Sequence, residues 1–294
     1  MQQVLFALGV WLTLCLTPVD AFAKAGPFTG TANIAGNTST ESWRGYGDSI
    51  MAGFCGIACQ QDSYYEYYAE LAAPALNADI NYDSDAVSGN LTSQIRGQMG
   101  VSELANADAI VWSAGGNDFL DARGDYRNNC NLTQLENAIG IDRSTGLPIS
   151  PATGWVAEWD DLISRVENNA NANARIRTMN VYYPGVDDDK AGFCGSTSDF
   201  TQFLPLLLAA GDYMCDSAWD RGWGCANSIE AMNCDGGNLA NCPTSYLEWV
   251  SLGGDSFSGN FDDPRAAGKL ISDNIHPNAT GHVAIAEAHD DIGY

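Results

Sequence analysis

Basic residues are scarce in this chain. Its 13 Lys and Arg stand against 37 Asp and Glu, for a formal net charge of −24 over 294 residues. A surface that acidic repels phosphate backbones, which excludes nucleic acid as a partner, and it equally disfavours attachment to anionic membranes. The simple reading of the charge is solubility, as in a salty medium. Only three histidines are present, and no Cys-x-x-Cys pair occurs among the nine cysteines, so no metal-binding framework is visible. Asp187-Asp188-Asp189 and "GGDSFSGNFDD" lack EF-hand spacing and read as solvated loops. Beyond residue 23 there is no apolar run long enough to span a bilayer, and no internal repeat.

What is present begins with an export signal. The apolar run Val4 to Leu16 precedes Ala21-Phe22-Ala23, a small-x-small cleavage pattern, although the segment before the run holds no Lys or Arg. Residues 1–23 are therefore expected to be a signal peptide, and the protein secreted or periplasmic. Their removal leaves 271 residues, eight cysteines and, with Asp20 gone, a charge of −23. An even cysteine count behind an export signal reads as up to four disulfides. Cys55/Cys59, Cys215/Cys225 and Cys234/Cys242 are close enough to be local staples, which leaves Cys130/Cys194 as the longer link. Spacing alone does not fix this connectivity.

Residues 24–42 are small and polar and read as a loose lead-in to a single domain, 43–294. From Trp43 a strand–helix rhythm sets in. A short strand ends near Gly47, and "SYYEYYAELAAPAL" suits a helix. "INYDSDAVSGN" suits a strand and turn, and "DAIVWSAGGND" a buried parallel strand. Trp155, Val156, Trp159, Leu162, Ile163 and Val166 recur at helical spacing, and "RIRTMNVYYPG" follows as a strand. Such alternation predicts an α/β protein with a mainly parallel sheet covered on both faces. Residues 186–262, rich in Gly, Asn, Asp and Cys, break the rhythm and read as an irregular, disulfide-stapled insertion. "FLPLLLAAG" within them reads as a buried helix rather than a lid.

Reactive groups in such sheets sit at the carboxyl ends of strands. Ser49 in "GYGDS", Gly89 in "AVSGN" and Asn117 in "AGGND" all follow candidate strands, while Asp273 and His276 stand three apart in "SDNIHPN". A serine hydroxyl needs a base to remove its proton, and an imidazole serves near neutral pH. The imidazole needs a carboxylate to fix its tautomer, and the three-residue spacing lets Asp273 reach His276. Acyl transfer further needs donors aimed at the developing oxyanion. The Ser49 N–H, the Gly89 N–H and the Asn117 amide are candidates. Asp118 is expected to bond a neighbouring loop or cap a helix, and His282 and His289 to be packing or surface positions.

Gly47-Asp48-Ser49, Gly89, Gly115-Gly116-Asn117-Asp118 and Asp273 to Asn278 resemble, in order, the four blocks of the SGNH or GDSL hydrolase family. The resemblance covers about residues 44 to 289, with the middle insertion unmatched. The first strand, "ESWRGYGDS", is thinner in apolar residues than is usual in the family, and Ile50 stands where the family has Leu. The family implies a flavodoxin-like three-layer α/β/α sandwich and ester hydrolysis through an acyl-enzyme, with no metal or organic cofactor. By block matching Ser49 is the nucleophile, His276 the base, Asp273 its orienting acid, and Ser49, Gly89 and Asn117 form the oxyanion hole. A monomer without stable membrane insertion is expected. Its substrate is a small-molecule, lipid or glycan ester, with lipid or simple carboxylic esters favoured by the apolar "FLPLLLAAG". Acetylated glycans, or acyl transfer on the same triad, are the alternatives. A rival of another class is a non-catalytic carbohydrate- or surface-binding protein on the same scaffold.

Overall fold

All four side chains of Ala109–Trp112 are buried, Ala109 and Val111 in one apolar cluster and Ile110 and Trp112 in another. A strand covered on both faces is what the centre of a parallel sheet requires. The protein is seen in a computed structural model, which describes residues 26–36, 39–56, 59–184, 192–194, 197–234, 241–257, 261 and 263–294. The expected signal peptide, the acidic run 187–189 and part of "GGDSFSGNFDD" lie outside these residues.

The strands are β1 (Phe28–Ala32), β2 (Thr40–Tyr46), β3 (Asp79–Ser84), β4 (Ala109–Trp112), β5 (Ile141–Asp142), β6 (Leu147–Pro148), β7 (Arg175–Met179), β8 (Gly192–Cys194), β9 (Thr197–Ser198) and β10 (Gly224–Ala226). The helices are α1 (Tyr64–Leu76), α2 (Thr92–Gln98), α3 (Val101–Asn106), α4 (Gly116–Asn129), α5 (Leu132–Ile139), α6 (Gly154–Asn169), α7 (Asp199–Trp219), α8 (Ser228–Asn233), α9 (Tyr246–Ser251) and α10 (Ala279–Asp291). Six strands form the main sheet in the order β1-β3-β2-β4-β7-β10, and β5/β6 and β8/β9 are small hairpins. From β3 to β10 neighbouring strands are parallel, and β1 lies antiparallel on the β3 edge.

Without its added edge this is the flavodoxin-like order, with helices covering both faces. Tyr65, Tyr68, Ala69 and Ala72 of α1 join Ile285 of α10 on one face. Trp155, Trp159 and Leu162 of α6 join Leu204 and Leu207 of α7 on the other. The chain leaves β2 toward β3 on one side and returns through α2 and α3 to β4 on the other. That reversal places the topological switch point, and the crevice it opens, at the carboxyl ends of β2 and β4.

Two expectations need correction. The lead-in 24–42 is not all loose. In Phe28–Ala32 the side chains alternate in exposure, and the strand pairs with β3 from Phe28↔Ser84 to Ala32↔Ile80. The insertion 186–262 is disulfide-stapled as expected but less irregular than read. Its α7 fills the helical layer and its β10 completes the sheet beside β7. A three-residue strand carries too little pattern to read ahead of time.

Four disulfides join Cys55–Cys59, Cys130–Cys194, Cys215–Cys225 and Cys234–Cys242, with Cα separations of 5.1 to 5.7 Å. Cys130–Cys194 ties the end of α4 to β8, and Cys215–Cys225 ties α7 to the sheet edge at β10. Among the described residues no helix is long and apolar enough to cross a membrane.

Candidate active site

Ser49 stands three residues beyond β2, in a tight turn. The carbonyl of Asp48 accepts from the Ala52 N–H at 3.0 Å, and that of Ser49 from the Phe54 N–H at 3.0 Å. The turn presses against the end of β4. A Cβ on Gly47 would lie 2.7 Å from that of Met51 and 2.8 Å from Ser113 Oγ, so only glycine fits there. Ser49 itself is 5% exposed.

Asp273 and His276 arrive from the other end of the chain, on a turn pinned by the Ile271 N–H donating to the His276 carbonyl at 2.9 Å. Asn278 then caps α10, accepting from the Gly281 N–H at 3.1 Å. Across 227 residues, His276 Nε2 meets Ser49 Oγ at 2.7 Å. His276 Nδ1 meets Asp273 Oδ2 at 2.6 Å. Oδ1 of the same carboxylate accepts from the N–H groups of Ile275 (2.9 Å) and His276 (3.0 Å). Burial alone would raise the Asp273 pKa. The hydrogen bonds from the His276 N–H, its ring and the Ile275 N–H outweigh it and hold the carboxyl below its usual range. The carboxylate is thus charged and aimed at the imidazole.

Gly89 follows β3 with φ +86°, and Asn117 lies in the first turn of α4. Asn117 Nδ2 donates to the Asn90 carbonyl at 2.9 Å, which holds the amide in place. Its second hydrogen is only loosely engaged, with Asp48 Oδ2 at 3.5 Å. Among the described residues, the N–H groups of Ser49 and Gly89 donate to nothing in the protein. Asp118 is engaged away from Ser49 and His276. It accepts from the Thr92 N–H and hydroxyl, both at 2.9 Å, at the start of α2. No group of three or more His, Cys, Asp or Glu among the described residues is placed to hold a metal ion.

A model of the GDSL-like lipase/acylhydrolase family matches residues 46–210, more than half of the chain. The chain belongs to that family. No curated protein sequence matches it at a significant level. Solved structures do, at identities so low that the likeness is one of fold. The lipase Lip_vut3 from a goat rumen metagenome is 14% identical, with 86% of this chain and 98% of that one covered and a TM-score of 0.59. Phospholipase A1 from Streptomyces albidoflavus NA297 is 16% identical, with 86% and 99% covered and a TM-score of 0.51. A variant of the acetyl xylan esterase Axe2 from Geobacillus stearothermophilus is 14% identical, with 88% and 97% covered and a TM-score of 0.50. The GDSL-like match takes in Ser49, Gly89 and Asn117 but stops short of Asp273 and His276. Those two join the others here through the observed hydrogen bonds.

Other groups shape this GDSL-like site without a sequence signal of their own. Phe54 packs its ring 4.4 Å from that of His276. The Tyr182 hydroxyl donates to the Ile275 carbonyl at 2.5 Å, and Gln61 Nε2 donates to the Pro277 carbonyl at 2.7 Å. Both brace the histidine turn from segments far away in sequence, which no local pattern can reveal. Asp48 was visible in the serine block, but not its state. Burial, with a smaller push from the Asp118 charge, raises its pKa to about 7 against the Ile50 N–H that bonds it.

Proposed function

We propose that this protein is an exported serine hydrolase of carboxylic esters. The observation that carries the reading is the continuous hydrogen-bond chain from Ser49 Oγ through His276 to Asp273. In the first half-reaction His276 Nε2 takes the Ser49 proton as Oγ bonds to the ester carbonyl carbon. The tetrahedral oxyanion then draws on the Ser49 and Gly89 N–H groups and the Asn117 amide. Collapse breaks the carbon–oxygen bond to the alcohol, which leaves with the proton from Nε2. In the second half-reaction a water gives a proton to the same nitrogen as its oxygen adds to the acyl carbon. The carbon–Oγ bond then breaks, Ser49 Oγ recovers the proton from Nε2, and the acid is released. Asp273 stays ionised throughout and stabilises the imidazolium.

The apolar segment that favoured lipid esters is core. Phe203, Leu204, Leu206, Leu207 and Leu208 are each 1% exposed or less, so they form no exposed apolar face on which a lipid could dock. Export is supported by the four disulfides, which persist in oxidising compartments, together with the signal-like N-terminus. We take residues 26–294 as one domain, since strands from 28 to 226 share one sheet.

The test is covalent labelling with a fluorophosphonate probe, alongside hydrolysis of p-nitrophenyl esters and acetylated glycans. Wild-type protein is expected to label at Ser49. Ser49→Ala should lose the label and at least about 10⁴-fold in kcat. Hydrolysis of no ester by native protein, or undiminished labelling of Ser49→Ala, would remove the proposal and leave a binding protein on this scaffold.

A further inference from the structure

A small apolar recess is lined in part by the chain neighbours of three site residues. Ile50 follows the serine, Gly116 precedes Asn117, and Ile275 precedes His276. Behind them stand Phe119 of α4 and Phe203 and Leu207 of α7, each 2% exposed or less. The free volume is about 30 Å³. A water needs roughly 10–15 Å³ of such space and also polar partners, and the one side-chain hydroxyl in the lining, that of Tyr182, already donates to the Ile275 carbonyl. What the recess accepts is hydrocarbon, and only about two methyl-sized groups of it.

Geometry decides which half of an ester belongs there. The acyl carbon becomes bonded to Ser49 Oγ, so the substituent it carries lies within a few ångströms of Ile50 and Gly116. The alcohol must instead take a proton from His276 Nε2 and leave. The His276 side chain is still 16% exposed, which gives the alcohol an open exit that the closed recess lacks. Phe203 and Leu207 are four residues apart on one face of a buried helix, so the floor is held by core packing and does not yield to a longer chain.

We propose that this recess receives the acyl group, and that Phe203 and Leu207 set its length so that the enzyme takes acetyl and propionyl esters and rejects longer acyl chains. The inference rests on the reading of Ser49 as nucleophile and narrows its substrate to short-chain esters. It leaves the alcohol, sugar or otherwise, to the open side of the site.

The experiment measures kcat/KM for p-nitrophenyl acetate, propionate, butyrate, hexanoate and octanoate, each divided by its rate with hydroxide. In the wild type the value is expected to fall about 10-fold or more between propionate and hexanoate, the scale on which one misfitting methylene is discriminated. Leu207→Ala and Phe203→Ala should each raise the hexanoate-to-acetate ratio about 10-fold, and this ratio does not depend on the fraction of protein folded. Should neither variant fold, wild-type inhibition decides the matter, with ethylboronic acid expected to bind at least about 10-fold more tightly than hexylboronic acid. Hexanoate hydrolysed as fast as acetate, equal binding of the two boronic acids, or active variants with an unmoved ratio would overturn the length limit while leaving the esterase intact. A wild type that cleaves no ester and takes no fluorophosphonate would remove the esterase reading, and this inference with it.

Discussion

Asp48 precedes Ser49 and is 2% exposed, an unusual setting for a carboxylate. Its Oδ1 accepts from the Ile50 N–H at 2.9 Å, while Oδ2 faces the Asn117 amide at 3.5 Å. Burial raises its pKa from the ordinary 3.8 to about 7. Between those values the folded protein binds the proton that the unfolded chain has released. Stability therefore falls as pH rises from about 4 to 7 and levels off above. Asp48→Asn keeps an oxygen for the Ile50 N–H and cannot ionise. It is expected to be more stable than the wild type at pH 8 by a few kcal/mol, the gain shrinking toward zero at pH 4. Thermal melts at the two pH values check this, and a gain equal at both would show that ionisation plays no part. A natural protein that keeps a destabilising acid beside its proposed nucleophile fits the general conflict between stability and function at active sites.

Among the elements, those with a strong period were legible in the sequence and those defined by distant partners were not. In α6 the six apolar positions read from helical spacing are all buried, because one face of a long helix must carry the whole pattern. The two short outer strands of the sheet, β1 and β10, were missed, since five and three residues owe their state to the neighbour they pair with. In the candidate site Ser49, Gly89, Asn117, Asp273 and His276 were legible as blocks, whereas Gln61 and Tyr182 were invisible because their hydrogen bonds cross 216 and 93 residues. Helix α10 sharpens an expectation left open. His282 and His289 are both core, at 0% exposed. Tyr64 donates its N–H to His282 Nδ1 at 3.2 Å and stacks its ring on His289 at 5.2 Å, while neither ring nitrogen of His289 has a hydrogen-bond partner among the described residues. Burial pushes both imidazoles from the ordinary 6.5 down to about 3. Between pH 3 and 6.5 the unfolded chain binds the extra protons, so stability rises with pH there and is lost as the solution is acidified. His289→Phe preserves the stacked ring and removes one of these protons. Its stability gain over the wild type should be about 2 kcal/mol larger at pH 5 than at pH 8, and equal gains in melts at both would refute the linkage.

In the whole molecule, a disulfide ties the later segment, from β8 onward, to the end of α4. The disulfides differ sharply in the chain they enclose. Cys130–Cys194 spans 64 residues, from the end of α4 past α5, α6 and β7, whereas Cys234–Cys242 spans 8. A cross-link acts largely by restricting the unfolded chain, and the restriction grows with the loop it closes. On that account the long bridge contributes about 4 kcal/mol and the short one about 2.5 kcal/mol. The long bridge also closes within the layer that supplies Phe203 and Leu207, since β8 leads through β9 directly into α7. Replacing Cys130 and Cys194 together by Ser is therefore expected to lower the melting temperature by several degrees more than the same change at Cys234 and Cys242. Because the loss arises in the unfolded chain, the double variant should keep its p-nitrophenyl acetate activity well below its lowered melting temperature. Melting curves and initial rates on both pairs decide the point. A larger loss from the short bridge would show that local strain or packing, rather than loop closure, governs what these cross-links contribute.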